Sequence, residues 1–181
     1  QLVAVLAELE RERSSITTVR DPAQAVGRHL EDSLDGLRVP AVREAADFEG
    51  VPDGSFDSVI LNSVCQYFPD GAYFRRVLAG AVRAVRPGGR VFIGDVQSFS
   101  LLEAHHAHDQ LERSKAETTA AELARLVARR VQTEDELVVD PAFFRHLARE
   151  IPEIRWVETA LRRGRIQNET TRFHYDVWLH V

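Results

Sequence analysis

The stretch Phe56-Asp57-Ser58-Val59-Ile60-Leu61-Asn62-Ser63-Val64-Cys65-Gln66-Tyr67-Phe68-Pro69 constrains the fold more than any other part of the chain. A short apolar run, Val59 to Leu61, stops at small polar residues and then at an aromatic-proline break. That is how a buried parallel strand delivers its carboxyl end to a ligand crevice. Further along, Arg86-Pro87-Gly88-Gly89-Arg90-Val91-Phe92-Ile93-Gly94-Asp95 reads as a turn, a second buried strand and a terminal carboxylate. A helix from Ala72 to Val85 joins the two. Strand, helix and strand in this order form half of a doubly wound α/β sheet, whose ligands bind outside the carboxyl ends of the strands. The function is expected near Asn62, Ser63 and Asp95.

The flanking sequence extends the pattern. Leu2 to Arg13 carries Leu2, Val5, Leu6 and Leu9 at helical spacing. Ile16 to Val19 is a short strand, closed by Asp21-Pro22, which caps and opens a helix running to Leu34. Val39 to Glu44 is a weak strand leading into Ala45-Ala46-Asp47-Phe48, with a turn at Pro52-Asp53-Gly54-Ser55. Leu101 to Arg130 reads as helix in two pieces, broken near Ser114–Thr118, and Asp140-Pro141 opens another helix over Ala142–Glu150. Ile154–Arg163 and Phe173–Val181 are rich in β-formers and read as an antiparallel pair completing a mainly parallel sheet. No repeat, linker or low-complexity segment divides residues 1–181, so a single domain is expected.

Composition narrows the function classes. The chain has 181 residues, 44% of them hydrophobic, enough for one domain with a real core. Its net charge of −5 gives no electrostatic case for nucleic acid. Its apolar runs fall far short of the ~18 residues that cross a bilayer, so no membrane partner is expected. The single cysteine, Cys65, excludes an internal disulfide and fits a reducing cytoplasm.

Taken in order, these segments resemble the class I S-adenosylmethionine-dependent methyltransferases, and more narrowly the methyltransferase domains embedded in nonribosomal peptide synthetases. The closer resemblance rests on Leu61-Asn62-Ser63-Val64-Cys65-Gln66-Tyr67-Phe68-Pro69, on Gly94-Asp95-Val96, and on Val138-Val139-Asp140-Pro141-Ala142-Phe143-Phe144. A fourth segment, Asn168-Glu169-Thr170-Thr171-Arg172-Phe173-His174-Tyr175-Asp176-Val177, is similar to the Asn-Glu-Leu-(Ser/Thr)-x-(Tyr/Phe)-Arg-Tyr signature of N-methylating domains. The resemblance covers Ile16 to Val181 and implies a Rossmann-like sheet. One element departs from it. The family opens with a strand and a Glu/Asp-x-Gly-x-Gly-x-Gly turn, where glycine allows close backbone approach to the cofactor. No such strand or turn precedes Ile16. The chain therefore reads as lacking its first strand, as an N-terminally truncated part of a larger polypeptide, and as inactive alone.

The resemblance assigns S-adenosylmethionine as cofactor. Asp21 would bind its ribose hydroxyls, Asp47 and Phe48 its adenine, and Asn62 and Ser63 would face it from the strand end. Each residue also has a plainer reading: Asp21 caps a helix, Asp47 and Phe48 form an ordinary loop, and Asn62 and Ser63 are the polar end of a strand. Cys65 reads as packing. His105, His106 and His108 suggest a metal, but no second ligand cluster completes a tetrahedral set, so none is assigned. His106, Asn168, Glu169, Arg172 and Tyr175 are the catalytic candidates, lining the acceptor pocket from a helix and from the loop and first half of the last strand. On that strand Phe173 and Tyr175 would share one face, Arg172 and His174 the other.

Methyl transfer needs a neutral amine held in line with the departing sulfur, so Glu169, Tyr175 and His106 are candidates to orient the amine or take its proton. The resemblance implies an acceptor tethered to a carrier protein by phosphopantetheine, with adjacent synthetase domains as neighbours. Arg162, Arg163 and Arg165 could meet the arm's phosphate or an acidic carrier surface. Two rivals remain: a noncatalytic scaffold domain of a megasynthase and a free-standing small-molecule methyltransferase.

Overall fold

A computed structural model describes residues 44–162 and 168–181. Their order is β1 (Phe56–Asn62), α1 (Gly71–Ala84), β2 (Val85–Gln97), α2 (Leu102–Arg113), α3 (Ala120–Gln132), α4 (Pro141–Glu150), β3 (Trp156–Leu161), α5 (Glu169–Phe173) and β4 (His174–His180). The strands form one sheet in the order β1-β2-β4-β3. β1 and β2 are parallel, in register from Ser58↔Arg90 to Asn62↔Gly94, so their carboxyl ends stop level. β4 runs antiparallel to β2 and β3. The last strand thus begins where β1 and β2 end. The two helices and the strand expected over Leu2–Leu34, and all but Glu44 of the weak strand Val39–Glu44, lie outside the described residues.

Each helix has a local cause. Asp70 accepts the Tyr73 N–H to start α1, and Phe74, Val77, Leu78 and Ala81 of that helix are fully buried against the sheet. Thr119 and Glu122 form a reciprocal capping box at α3. Asp140 caps α4 ahead of Pro141, as the Asp-Pro pair predicts. The core joins α1, α4 and the sheet: Phe74 stacks on Phe143 and meets Phe144 edge-on, while Val91, Ile93, Val177 and Leu179 fill the layer beneath. Gly80 is required within α1 because a Cβ there would lie 2.3 Å from the Phe48 ring.

The expected start of the last strand is a helix. Asn168 to Thr171, read as loop, and Arg172 and Phe173, read as strand, fold together: the Asn168 side chain accepts the Thr171 N–H and Thr171 Oγ1 accepts the Asn168 N–H, which makes Glu169–Phe173 the single turn α5. Strand β4 starts only at His174, so the facing predicted for Arg172 and Phe173 on a strand does not hold.

Candidate active site

The carboxyl ends of β1 and β2 hold an unusual piece of backbone. Ile93 pairs with Val177 and Val96 with Tyr175, so Gly94 and Asp95 together oppose Asp176 in a β-bulge. Asp95 takes a left-handed φ of 66°, and its N–H donates to Asp176 Oδ1 at 3.0 Å. Beside it Ser63, the first residue after β1, has φ 53°. Two adjacent non-glycine residues in this region are strained, and such strain concentrates at functional sites.

The bulge aims Asp95 into a polar cluster. Ser63 Oγ donates to Asp95 Oδ2 at 2.7 Å, and Asn62 Nδ2 donates to Ser63 Oγ at 3.3 Å. His174 Nδ1 meets Asp95 Oδ1 at 2.8 Å, and Arg162 Nη1 lies 2.9 Å from the same oxygen. Burial opposes ionisation of Asp95, but the hydrogen bonds from His174 and Ser63 and the charges of His174 and Arg162 outweigh it, holding the carboxyl below its ordinary range. Next to His174, the His105 ring stacks between His106 and Phe173. Burial makes His105 bind a proton less readily than an ordinary histidine, and Gln97 Nε2 sits 3.2 Å from its Nδ1. His106 Nε2 pairs with Glu134 Oε2 at 2.9 Å.

The segment from Glu134 to Asp140 crosses these strand ends as a strap. Leu137 N–H donates to Gln66 O at 2.8 Å, Val139 N–H to Gln97 O at 2.9 Å, and Ser98 and Val139 form a parallel bridge. Tyr175 fastens it from beneath, its hydroxyl donating to Val139 O at 2.9 Å.

The predicted site residues fall in several places. Asn62, Ser63 and His106 sit in the cluster. Glu169, Arg172 and Asn168 lie on α5 at its edge; Arg172 Nη1 is 3.0 Å from His108 Nε2, and the Asn168 side chain is engaged as a cap. Tyr175 is buried, its hydroxyl donates to Val139 O in the strap, and burial pushes its ionisation far above the ordinary range. Asp47 and Phe48 line a separate shallow cleft on the flank of α1 with Arg76 and Arg83. Asp47 Oδ1 accepts the Glu49 N–H at 2.9 Å. Asp21 lies outside the described residues. Arg162 turns onto Asp95 rather than outward, which corrects its expected role at a carrier surface; Arg163 and Arg165 lie outside the described residues. Cys65 is buried, its thiol pushed up to about 12, consistent with packing.

Sequence reasoning missed His174 and Glu134. His174 was visible as the residue standing where the N-methylating signature has Arg. Glu134 sits in a stretch without periodicity, and nothing local signals that it crosses the strand ends.

The strand ends fit a nucleoside-bearing cofactor in one respect. A Cβ at Gly94 would lie 2.2 Å from Asn62 Oδ1, so glycine is what lets the Asn62 amide lie across the ends of β1 and β2. The amide and the Ser63 hydroxyl then supply hydrogen-bonding groups at the place where sheets of this type bind ligands.

Residues 4–93 match a family described as a methyltransferase domain. The chain is 45% identical over 139 residues to chondramide synthase cmdD of Chondromyces crocatus, spanning 77% of this chain and 4% of that protein. It is 39% identical over 137 residues, 76% of the chain and 2% of the relative, to a probable non-canonical nonribosomal peptide synthetase, CymA, of Salinispora arenicola. Over 124 residues it is 36% identical to cyclosporin synthetase simA of Tolypocladium inflatum, 68% of the chain and 1% of the relative. The chain thus spans only a few per cent of the length of these proteins. Among solved structures, its fold is similar to the N-methyltransferase NodS from Bradyrhizobium japonicum WM9, with a TM-score of 0.51 at 14% identity over 90% of this chain and 71% of that one. A SAM-dependent methyltransferase from Methanosarcina mazei gives 0.52 at 12% identity over 91% and 81%. The chain belongs to the class I S-adenosylmethionine-dependent methyltransferase family and is related to the methyltransferase regions of nonribosomal peptide synthetases.

Proposed function

We propose that the chain methylates the amino group of an aminoacyl unit tethered by phosphopantetheine to a carrier protein, beside adjacent synthetase domains. The observation that carries this reading is its identity of 36–45% to peptide synthetases over two thirds or more of its length. The chemistry at the strand ends supports it, since a cluster rich in carboxylates and imidazoles suits an amine that must lose a proton before reacting.

S-adenosylmethionine, when bound, supplies a methyl group activated on a sulfonium. Asn62 and Ser63 would face it from the strand ends, Asp47 and Phe48 from their loop, and Asp21 from the segment outside the described residues. His106, held by Glu134, stands on the acceptor side with Glu169 and Arg172, while Asn168 keeps their helix in shape. These groups orient the amine and exclude water around it. No helix of the described residues is long and apolar enough to cross a membrane; we place the reaction in the cytoplasm.

The test incubates the gene product carrying this chain with S-adenosylmethionine and a carrier protein loaded with an amino acid. Mass spectrometry of the released amino acid should find an N-methyl product. Methyl found only on oxygen or carbon would refute the amine acceptor. A carrier left unmodified would refute catalysis and leave the scaffold reading.

A further inference from the structure

Three imidazoles meet at the strand ends, and their hydrogen bonds leave them in different states. His105 Nδ1 faces Gln97 Nε2 at 3.2 Å, and an amide nitrogen can only donate. The neutral His105 ring therefore carries its hydrogen on Nε2 and has no free lone pair. His106 commits Nε2 to Glu134 of the strap at 2.9 Å. His174 is the imidazole that the strand ends themselves hold: its Nδ1 lies 2.8 Å from Asp95 Oδ1, and its Nε2 makes no hydrogen bond among the described residues.

Asp95 decides which nitrogen of His174 is free. Its Oδ2 accepts from Ser63, and Arg162 lies 2.9 Å from Oδ1, so the carboxyl is ionised and the hydrogen shared with His174 sits on Nδ1. Neutral His174 then presents its lone pair at Nε2, the arrangement in which a carboxylate orients an imidazole to take up a proton. The left-handed backbone of the bulge at Asp95 is what lets one side chain reach both the end of β1 and the start of β4. Through it His174 is two hydrogen bonds from Ser63, at the edge of the sheet where ligands of such folds bind. The His174 side chain is 11% exposed, so it is not sealed in the core. Among the described residues, the titratable and charged groups facing it are Asp95 of β2, Arg162 after β3, His105 of α2 and Glu136 of the strap.

Resting on the aminoacyl acceptor proposed above, we infer that His174, oriented by Asp95, takes the proton that the substrate's ammonium must lose before methylation. An N–H bond of the ammonium breaks, its electron pair stays on nitrogen, and the proton joins His174 Nε2. The products are a neutral amine and an imidazolium paired with the Asp95 carboxylate. The N-methylating signature has Arg at this place, a permanent cation that accepts no proton; the histidine gives this chain a group that does. An α-ammonium releases its proton near pH ~7.7–8.0. Below that range the substrate arrives mostly charged and needs a base, and above it the substrate arrives neutral and needs none.

Single-turnover N-methylation by the whole gene product, with its aminoacyl-loaded carrier protein, separates this role from a structural one. His174→Asn keeps a neutral donor for Asp95 and His174→Arg keeps a cationic one, but neither takes up a proton. Both variants are expected to bind S-adenosylmethionine like the unaltered protein in equilibrium dialysis. Both should methylate tenfold or more slowly at about pH 6.5, and come within about twofold of the unaltered protein at about pH 9. A deficit that stays constant with pH, normal turnover by either variant at the lower pH, or loss of cofactor binding by both overturns the role of His174 and leaves the acceptor reading standing. If the unaltered protein places no methyl group on nitrogen, the acceptor reading itself fails and the inference falls with it.

Discussion

Asp95→Asn removes one charge from the centre of the cluster and almost nothing else. The side chain keeps its size, can still accept from Ser63, and asparagine tolerates the left-handed φ of 66° at this position. What goes is the attraction to His174 at 2.8 Å and Arg162 at 2.9 Å. Breaking a fully buried pair costs about 3–5 kcal/mol, and an exposed one about 0–1. The Asp95 and His174 side chains are 13% and 11% exposed and Arg162 28%, which places the loss between these limits, at about 2–3 kcal/mol. For a chain of this size that is a fall in melting temperature of about 4–12 °C. The pH dependence follows from the depressed carboxyl. A group whose folded pKa lies below its unfolded value stabilises above the unfolded pKa, about 3.9 for Asp, and stops doing so as pH falls through the folded value. Urea unfolding should therefore show the full gap between the two proteins at pH 6–8, narrowing below about pH 4. No gap at neutral pH, or one that stays constant into acid, would refute the electrostatic account of the cluster.

Other substitutions probe the supports. Tyr175→Phe deletes the hydroxyl that holds Val139 O, and should cost about 0.5–1.5 kcal/mol, with faster amide exchange at Leu137 and Val139 measured by NMR. Gly80→Ala gains about 1 kcal/mol of helix propensity but has to displace the Phe48 ring at a cost of about 1–3 kcal/mol. The net result is destabilisation in a urea titration. Replacing Phe48 with a smaller residue in the same chain should remove that penalty.

Much of the scaffold is legible in the sequence because its signals are local. Asp140-Pro141 marks the start of α4, and the apolar run ending at Asn62-Ser63 marks the carboxyl end of β1. The break in the helical stretch near Ser114–Thr118 is where α2 gives way to α3. The failures come where tertiary context decides. Phe173 reads as the start of the last strand, yet the cap between Asn168 and Thr171 draws it into a helical turn. Arg162 reads as one of a solvated basic run, but Asp95, distant in sequence, captures it. Glu134 has no motif at all, since its pairing with His106 depends on the strap that Leu137 and Val139 fasten to Gln66 and Gln97. Asp47 and Phe48 lie in a loop against the flank of α1, a position that their own sequence, an ordinary polar-aromatic pair, does not signal.

The bulge at Gly94–Asp95 also sets a rule for insertions and deletions. The buried aliphatic side chains of β2 fall on odd numbers, Val85, Val91 and Ile93, before the bulge, and on an even one, Val96, after it. Removing a single residue here would erase the bulge and give Val96 the next inward place opposite Tyr175, so every later side chain would keep its face. Removing two would turn Val96 outward. A single deletion should therefore be tolerated by the sheet but not by the cluster, because it abolishes the left-handed turn that brings Asp95 to Ser63 and His174.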